Sequence, residues 1–233
     1  MSPSILNLLL GLLFPRRCVS CGRLGNYFCQ RCSSIIQIIK TPVCPVCERA
    51  SIGGKTHPGC QTRYTLDGLT SIWVYEGPIK KAIKLLKYKF VTDLARELVY
   101  LSFGGSTSAE VEPLKETILT PVPLHWWRFH WRGFNQAEIL GKMIAKKLGI
   151  KFVPDLLVRE KSTRPQVELR GKQRQENIVD AFIINPRLSQ FPISNFQFLI
   201  FDDVWTTGAT LRVCRNVLKR AGAKKVWGLT LAR

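Results

Sequence analysis

Two adjacent carboxylates, Asp202 and Asp203, stand between an apolar run and a hydroxyl-rich turn in the sequence FLIFDDVWTTGAT. The apolar run, residues 198–201, does not alternate with polar residues, which is typical of a strand buried on both faces. Apolar residues recur at helical spacing after the turn, and Gly222 is a suitable helix stop. The turn is therefore predicted to open a helix, where free N–H groups and the helix dipole favour a phosphate group.

The side chains of this turn and of the acid pair suit two parts of one ligand. Threonine hydroxyls add hydrogen-bond donors, and Gly208 lets the backbone approach a ligand closely. The acids would repel a phosphate, so we expect them to hold sugar hydroxyls or a magnesium ion instead. An ordinary strand–turn–helix is the alternative, although paired acids after a buried strand are costly without a ligand. The segment is neither a Walker loop nor a dinucleotide-binding G-x-G-x-x-G motif.

The segment resembles the 5-phosphoribosyl-1-pyrophosphate (PRPP) motif of type I phosphoribosyltransferases, in which an apolar run and two acids precede T-T-G-x-T. The matching residues are Asp202, Asp203, Thr206, Thr207, Gly208 and Thr210. The resemblance implies that PRPP is bound by these residues and Ala209, with Mg²⁺ accompanying the pyrophosphate.

Seven of the eight cysteines and one histidine form four two-residue-spaced knuckles between residues 18 and 60. Such spacing lets one tight turn aim both ligands at one metal, and eight ligands suffice for two tetrahedral zinc ions. The predicted metal ligands are Cys18, Cys21, Cys29, Cys32, Cys44, Cys47, His57 and Cys60. We expect neighbouring knuckles to share an ion, and a cross-braced pairing is the alternative. The segment has few large apolar residues, so metal binding would supply its folding energy.

Disulfides are the other reading of these cysteines, and a reducing compartment disfavours them. The leucine-rich stretch from Ile5 to Phe14 lacks the features of a secretory signal, so we expect a cytoplasmic protein. The same stretch is shorter than the roughly 20 residues that span a bilayer, so no stable membrane insertion is expected. A short docked helix is the favoured structure there. Cys214, on the apolar face of the last helix, is predicted to be core.

The net charge of +19 over 233 residues is unusually high. Such a field favours polyanions, including nucleic acid and pyrophosphate-bearing metabolites, although an ordinary basic enzyme is an equal alternative. The length accommodates an α/β domain and a small module. We predict an N-terminal helix and double zinc ribbon over residues 1–64 and a larger domain over residues 65–233.

A second strand–loop–helix unit is predicted over residues 117–148, with Asn135 and Glu138 as a possible capping box. Its loop carries Arg128 and Arg132, whose guanidinium groups suit phosphate oxygens. The aromatic residues of this loop could stack nucleobases or fill an interface, and Trp126 is predicted to be core. By analogy with type I phosphoribosyltransferases, Arg128 and Arg132 would grip pyrophosphate.

A polar, basic segment follows a predicted strand over residues 152–159. In the phosphoribosyltransferase fold, a loop at this point closes over PRPP. Its candidates for holding pyrophosphate are Lys161, Arg164, Gln166, Arg170 and Arg174, and a surface loop without a role is the alternative. The order of strands and helices predicts an α/β fold with a mostly parallel sheet covered by helices on both faces.

Nearly the whole chain resembles the ComF family, also called the competence protein F or GntX-type family. The resemblance is carried by the cysteine knuckles, Val122-Pro123, the segment 132–137, the series Arg164, Gln166, Leu169, Arg174 and Asn177, and DDVWTTGAT. It implies a double zinc ribbon joined to a type I phosphoribosyltransferase domain. In naturally competent bacteria the family is linked to the handling of imported single-stranded DNA alongside a helicase. His57 departs from the family pattern, where cysteine is common.

Two functions remain open at this point. In one, the pocket binds PRPP or another ribose phosphate, and the basic surface binds single-stranded DNA. In the other, the protein transfers ribose 5-phosphate from PRPP to a nitrogen acceptor by positioning and charge stabilisation. The catalytic residues would then be Asp202, Asp203, Arg132 and Arg164.

Overall fold

A computed structural model describes residues 15–88, 92–103, 116–124, 126–159 and 181–233 of the chain. Its centre is a five-stranded parallel sheet with the strand order β1-β7-β6-β2-β3. The strands are β1 (Gly68–Trp73), β2 (Thr117–Pro121), β3 (Lys151–Phe152), β6 (Gln197–Val204) and β7 (Lys225–Ala232). This sheet confirms the predicted mostly parallel α/β fold.

The central strands meet at one edge of the sheet. Pro121 at the end of β2 pairs with Phe201 of β6, and Asp202 pairs with Thr230 of β7. Because parallel strands all point the same way, their carboxyl ends lie side by side, where open α/β sheets bind ligands. Asp202 and Asp203 therefore lie at the carboxyl edge of the sheet, where proteins with this architecture bind their ligands.

Six helices belong to the described residues: α1 (Gln30–Ser33), α2 (Gly77–Tyr88), α3 (Thr92–Phe103), α4 (Trp126–Arg132), α5 (Gln136–Leu148) and α6 (Ala209–Arg220). Helices α2, α3 and α5 pack on one face of the sheet, and α6 packs on the other. Cys214 of α6 is fully buried, so its prediction as a core residue is confirmed.

Helix α5 begins and ends as its sequence predicts. Asn135 is the N-cap, and its side-chain oxygen accepts a hydrogen bond from the amide of Ala137 at 3.1 Å. Its side-chain amide also donates to the Val122 carbonyl at 3.1 Å, which ties the helix to the end of β2. Gly149 ends the helix with a left-handed φ of 67°.

Three local predictions were wrong. The single strand expected over residues 152–159 is two strands, and the second, β4 (Leu157–Arg159), pairs antiparallel with β5 (Phe182–Ile184) outside the main sheet. The predicted loop with Arg128 and Arg132 contains helix α4. Trp126, expected in the core, is 46% exposed, since this short helix turns its aromatic side chains outwards.

The N-terminal module, residues 15–64, is built of turns and isolated bridges. It includes the short helix α1 and two 3-10 turns, Ile52–Gly54 and Pro58–Cys60. Contacts to α3 hold its first half, because Arg16 pairs with Asp93 at 2.7 Å and the Phe28 amide donates to Glu97 at 3.1 Å. Whether folding units divide between residues 64 and 65 stays a prediction.

The leucine-rich stretch from Ile5 to Phe14 lies outside the described residues. Within the described ranges, no helix combines the length and the apolar character needed to cross a bilayer.

Candidate functional site

The turn between β6 and α6 lines an open pocket. The structure brings six of the predicted PRPP-binding residues to it: Asp202, Thr206, Thr207, Gly208, Ala209 and Thr210. Helix α6 begins at Ala209, so its first amides lie at the pocket. The pocket therefore combines a helix N-terminus, hydroxyl groups and one carboxylate.

Gly208 and Trp205 fix the shape of the turn. Gly208 is the N-cap of α6 and has a left-handed φ of 67°. A Cβ atom at this position would overlap the Trp205 indole, which is buried against the glycine. Only glycine combines this backbone conformation with so close an approach. The Arg212 guanidinium also donates to the Thr207 carbonyl, which ties the turn to the first turn of the helix.

The acid pair is divided between the two faces of the sheet. Strand β6 continues through Val204, and successive side chains of a strand point to opposite faces. Asp202 follows the α6 side and lines the pocket, whereas Asp203 does not line it. Asp203 is buried on the other face, where its Oδ2 lies 3.0 Å from the ammonium nitrogen of Lys87 and accepts a hydrogen bond from Gln136.

Asp202 holds its proton more strongly than an ordinary aspartic acid. Burial, with the charge of neighbouring Asp203 as the next cause, raises the pKa of Asp202 from 3.8 to about 8. The Asp203 amide donates to Asp202 Oδ1 at 2.8 Å, and Lys87 favours the charged form, but these effects are smaller. The Cys214 thiol on α6 also has its pKa raised, first by burial and then by Asp202. A raised pKa in a pocket is frequent at functional sites.

Of the predicted arginines, the structure describes the side chain of Arg132 alone. Arg132 ends α4, partly buried at the carboxyl edge of the sheet, and does not line the pocket. The Arg128 side chain lies outside the described residues. So does Arg164, with the other candidates of the segment 160–180. Their roles toward pyrophosphate therefore stay predictions.

Two clusters in the N-terminal module have the composition of zinc sites. Cys18, Cys21, Cys29 and Cys32 form one, and Cys44, Cys47, His57 and Cys60 form the other. Within each cluster all ligand atoms lie within 4.8 Å of one another. The grouping is the sequential pairing of knuckles and differs from the cross-braced alternative. All eight cysteines of the chain are free thiols rather than disulfides.

The distances between ligand atoms fit tetrahedral zinc. Zn–S bonds of about 2.3 Å place two sulfurs about 3.8 Å apart, and an S–N pair about 3.5 Å apart. The sulfurs of Cys21 and Cys29 are 3.6 Å apart, and Cys47 Sγ lies 3.3 Å from His57 Nδ1. His57 Nε2 lies 3.0 Å from the Ala50 carbonyl, which can only accept a hydrogen bond, so Nε2 carries the proton. Nδ1 is thereby left for the metal, as in other histidine ligands.

Cys47 is prepared for metal binding by its surroundings. The Arg49 backbone amide, followed by the Arg49 side chain, lowers the pKa of Cys47 from 9.0 to about 6. A thiolate is the form that binds zinc, so this environment favours the ligand state at neutral pH.

Three residues of the site were missed by sequence reasoning. These residues are Lys87, Gln136 and Trp205. The alternation of side chains along β6 would have placed Asp203 on the face opposite Asp202. No local signal identifies Lys87, because its contact with Asp203 joins residues far apart in the chain.

The comparisons with known proteins agree with both parts of the chain. A family described as "Double zinc ribbon domain" matches residues 9–61. The DNA utilization protein YhgH of Salmonella typhi is 32% identical over 167 residues, covering 69% of this chain and 70% of the relative. Competence protein F of Haemophilus influenzae is 28% identical over 227 residues, covering 89% and 98%.

The chain belongs to the ComF family. Competence protein ComFC of Bacillus subtilis is a further relative, 27% identical over 213 residues, covering 88% of this chain and 83% of the relative. The zinc-ribbon match and the two ligand clusters together confirm the prediction of structural zinc in this ComF-family chain.

Among solved structures, adenine phosphoribosyltransferase from Leishmania tarentolae aligns with a TM-score of 0.36 and 14% identity. It covers 65% of this chain and 74% of that one. The fold assignment rests on the strand order of the sheet itself.

Proposed function

We propose that this ComF-family protein binds PRPP, or another ribose 5-phosphate compound, as part of handling or taking up single-stranded DNA in natural competence in the cytoplasm. The observation that supports this ligand is that one pocket is lined by both the turn of residues 206–210 and the Asp202 carboxyl. The proposed biological role is supported by the names of the relatives, which refer to competence and DNA utilization.

Two kinds of group in the pocket would bind different parts of the ligand. The hydroxyls of Thr206, Thr207 and Thr210 and the first amides of α6 would hold the 5-phosphate. Asp202 would accept hydrogen bonds from the ribose hydroxyls once it is ionised. Mg²⁺ fits this donor set, because proteins hold it through one or two carboxylates and the phosphates of the substrate. When bound, it would neutralise charge on the pyrophosphate.

The proposal is limited to binding. The names of the relatives refer to competence and DNA use rather than to a transferase. Release of pyrophosphate from PRPP in the presence of a nitrogen base or amine would extend the proposal to an enzyme.

Calorimetric titration with ribose 5-phosphate tests the pocket. Thr207→Val removes a hydroxyl but keeps the side-chain shape. A hydrogen bond to a charged group is worth about 1.5–3 kcal/mol, so the affinity should fall about tenfold to a hundredfold. Thr117→Val is the matched control, because Thr117 begins β2 at the opposite edge of the sheet. Equal affinities of the wild type and both variants would reject the pocket.

Helix α4 supports a contact with single-stranded DNA. Four of its aromatic residues are exposed, Trp126 by 46%, Trp127 by 63%, Phe129 by 46% and Trp131 by 67%. Unpaired bases stack on such side chains, and the net charge of +19 attracts the DNA backbone.

Anisotropy of a labelled deoxythymidine oligonucleotide tests this contact over a range of salt concentrations. Loss of one stacking partner costs about 1–3 kcal/mol, so Trp131→Ala should weaken binding about fivefold or more. Tyr100→Ala is the control, because Tyr100 is a similarly exposed aromatic residue on α3, 66% accessible. Equal losses in the two variants, or an affinity independent of salt, would reject the assigned surface.

A further inference from the structure

One lysine of helix α2 differs from the others. Lys80, Lys81 and Lys84 are exposed, whereas the side chain of Lys87 is only 27% exposed. Its ammonium nitrogen lies 3.0 Å from Asp203 Oδ2, and the Asp203 side chain is 10% exposed. Lys87 therefore extends from α2, which does not contribute to the pocket, and pairs with Asp203, the buried member of the acid pair.

A second helix contacts the same carboxylate oxygen. Gln136, the first residue of α5, is 8% exposed and donates from its side-chain amide to Asp203 Oδ2. Asp203 thus receives donors from α2 and α5 on the face of the sheet opposite α6. Asp202, one residue earlier, lies on the other face and lines the pocket.

We propose that Lys87 is a positioning residue of the sugar-phosphate pocket, which fixes Asp203 and compensates its charge on the face of the sheet opposite α6, so that Asp202 is the only uncompensated acid of the pair near the ligand. This inference rests on the proposed function, since it names the residue that prepares that same pocket. It also gives the two adjacent acids different tasks.

The physical reason is the cost of a buried charge. Removing one partner of a buried ion pair leaves the other partner's charge without compensation. Without Lys87, the Asp203 carboxylate either keeps an uncompensated charge or takes up a proton. The uncompensated charge would oppose both the ionisation of neighbouring Asp202 and the arrival of a phosphate at the pocket. Taking up a proton would weaken its hydrogen bond with the Gln136 amide, because a neutral carboxyl oxygen is a weaker acceptor than a carboxylate oxygen. Either change disturbs the ligand site without touching the ligand.

The experiment measures ribose 5-phosphate affinity by calorimetry in the full-length, zinc-loaded protein. Lys87→Met should weaken binding at least tenfold, and Lys87→Arg should recover most of the loss because it restores the positive charge. Lys84→Met is the matched control, since it removes the same charge from an exposed position of the same helix, and should change the affinity less than twofold. Equal losses in Lys87→Met and Lys84→Met would overturn the inference, because they would show a general charge effect.

A double variant separates positioning from simple damage to the fold. Lys87→Met combined with Asp203→Asn removes both charges, so binding should return towards the wild-type value. Urea unfolding should show the same compensation, with the midpoint of the double variant above that of Lys87→Met. Additive losses in both measurements would overturn the inference.

The unfolding data also distinguish the two ways of failing. A wild-type protein that does not bind ribose 5-phosphate overturns the proposed function and the ligand named here. Compensation in the urea midpoints would then still support the pairing of Lys87 with Asp203. Binding by the wild type, with no effect of Lys87→Met, overturns the inference and leaves the proposed function standing.

Discussion

The N-terminal module and the parallel sheet are stabilised in different ways. In the module, three ligand cysteines, Cys18, Cys29 and Cys32, form a buried cluster of their own, while apolar residues such as Ile52 are up to 93% exposed. The sheet has an apolar core on each face, and side chains such as Ile118 and Ile200 are fully buried. The module therefore depends on metal ligands, and the sheet depends on packing.

Because of this difference, ligand binding and stability depend on the same residues in the module but on different residues in the sheet domain. In the module the same sulfur and nitrogen atoms would bind the metal and hold the fold. In the sheet the core holds the fold, and the pocket forms at the strand ends. Residues of the pocket, such as the adjacent acids Asp202 and Asp203, can therefore be unfavourable for stability, because the core compensates for them.

Removal of zinc should have the largest effect and should be confined to the module. Binding of a structural zinc ion is worth about 10–16 kcal/mol in isolated zinc fingers. After chelation, amides of residues 18–60 should lose protection from hydrogen exchange, whereas amides of residues 198–201 in β6 should keep it. Mass-spectrometric hydrogen exchange measures both regions in one sample.

Cys214→Ala is the control for this comparison, because Cys214 is a buried cysteine outside both clusters. It should leave about two zinc ions per chain. Simultaneous loss of protection in the module and in β6 on chelation would show that the two regions do not differ in this way.

Substitution of two glycines with the same backbone conformation distinguishes the cost of backbone strain from the cost of overpacking in the sheet domain. Gly149 and Gly208 both have a φ of +67°, but only at Gly208 would a Cβ atom meet a neighbour, the Trp205 indole. Gly149→Ala should cost about 1 kcal/mol from backbone strain alone. Gly208→Ala should cost about 2–4 kcal/mol, because overpacking adds about 1–3 kcal/mol. Urea unfolding measures both, and equal costs would contradict the packing of Trp205 on the turn.

Asp202→Asn should increase stability by a smaller amount that depends on pH. The pKa of Asp202 is raised from 3.8 to about 8 in the folded protein, so the folded state binds a proton that the unfolded chain has lost between about pH 4 and pH 8. The stability of the wild type therefore falls as pH rises through this window. The asparagine variant lacks this loss. Its free energy of unfolding should therefore exceed that of the wild type by about 1–2 kcal/mol more at pH 8 than at pH 5. Thermal melting at the two pH values measures the gain, and a constant difference would contradict the raised pKa of this acid.

The sequence predicts the module better than the pocket, for a physical reason. The ligand spacing of the knuckles is local, so Cys18, Cys21 and their counterparts reveal the metal sites directly. The long apolar strands and the caps Asn135 and Gly149 also follow from local patterns. Trp126 was misplaced because an aromatic residue suits both a core and an exposed surface.

The electrostatics of the pocket depend on tertiary contacts. Lys87 and Asp203 are 116 positions apart in the chain, and only the packing of α2 on the sheet brings them within 3.0 Å. The division of Asp202 from Asp203 was within reach of sequence reasoning, because it follows from strand alternation once β6 extends through Val204.

Amide NMR with ribose 5-phosphate tests the central claim most directly. On titration, the account predicts shifts concentrated at Asp202 and residues 206–210, with little change in the zinc ligand knuckles or at Thr117. The Asp202→Asn variant should show these shifts only at higher ligand concentrations. Saturating ligand that leaves residues 206–210 unchanged, or that shifts only a distant surface, would contradict the assignment of this turn as the phosphate site.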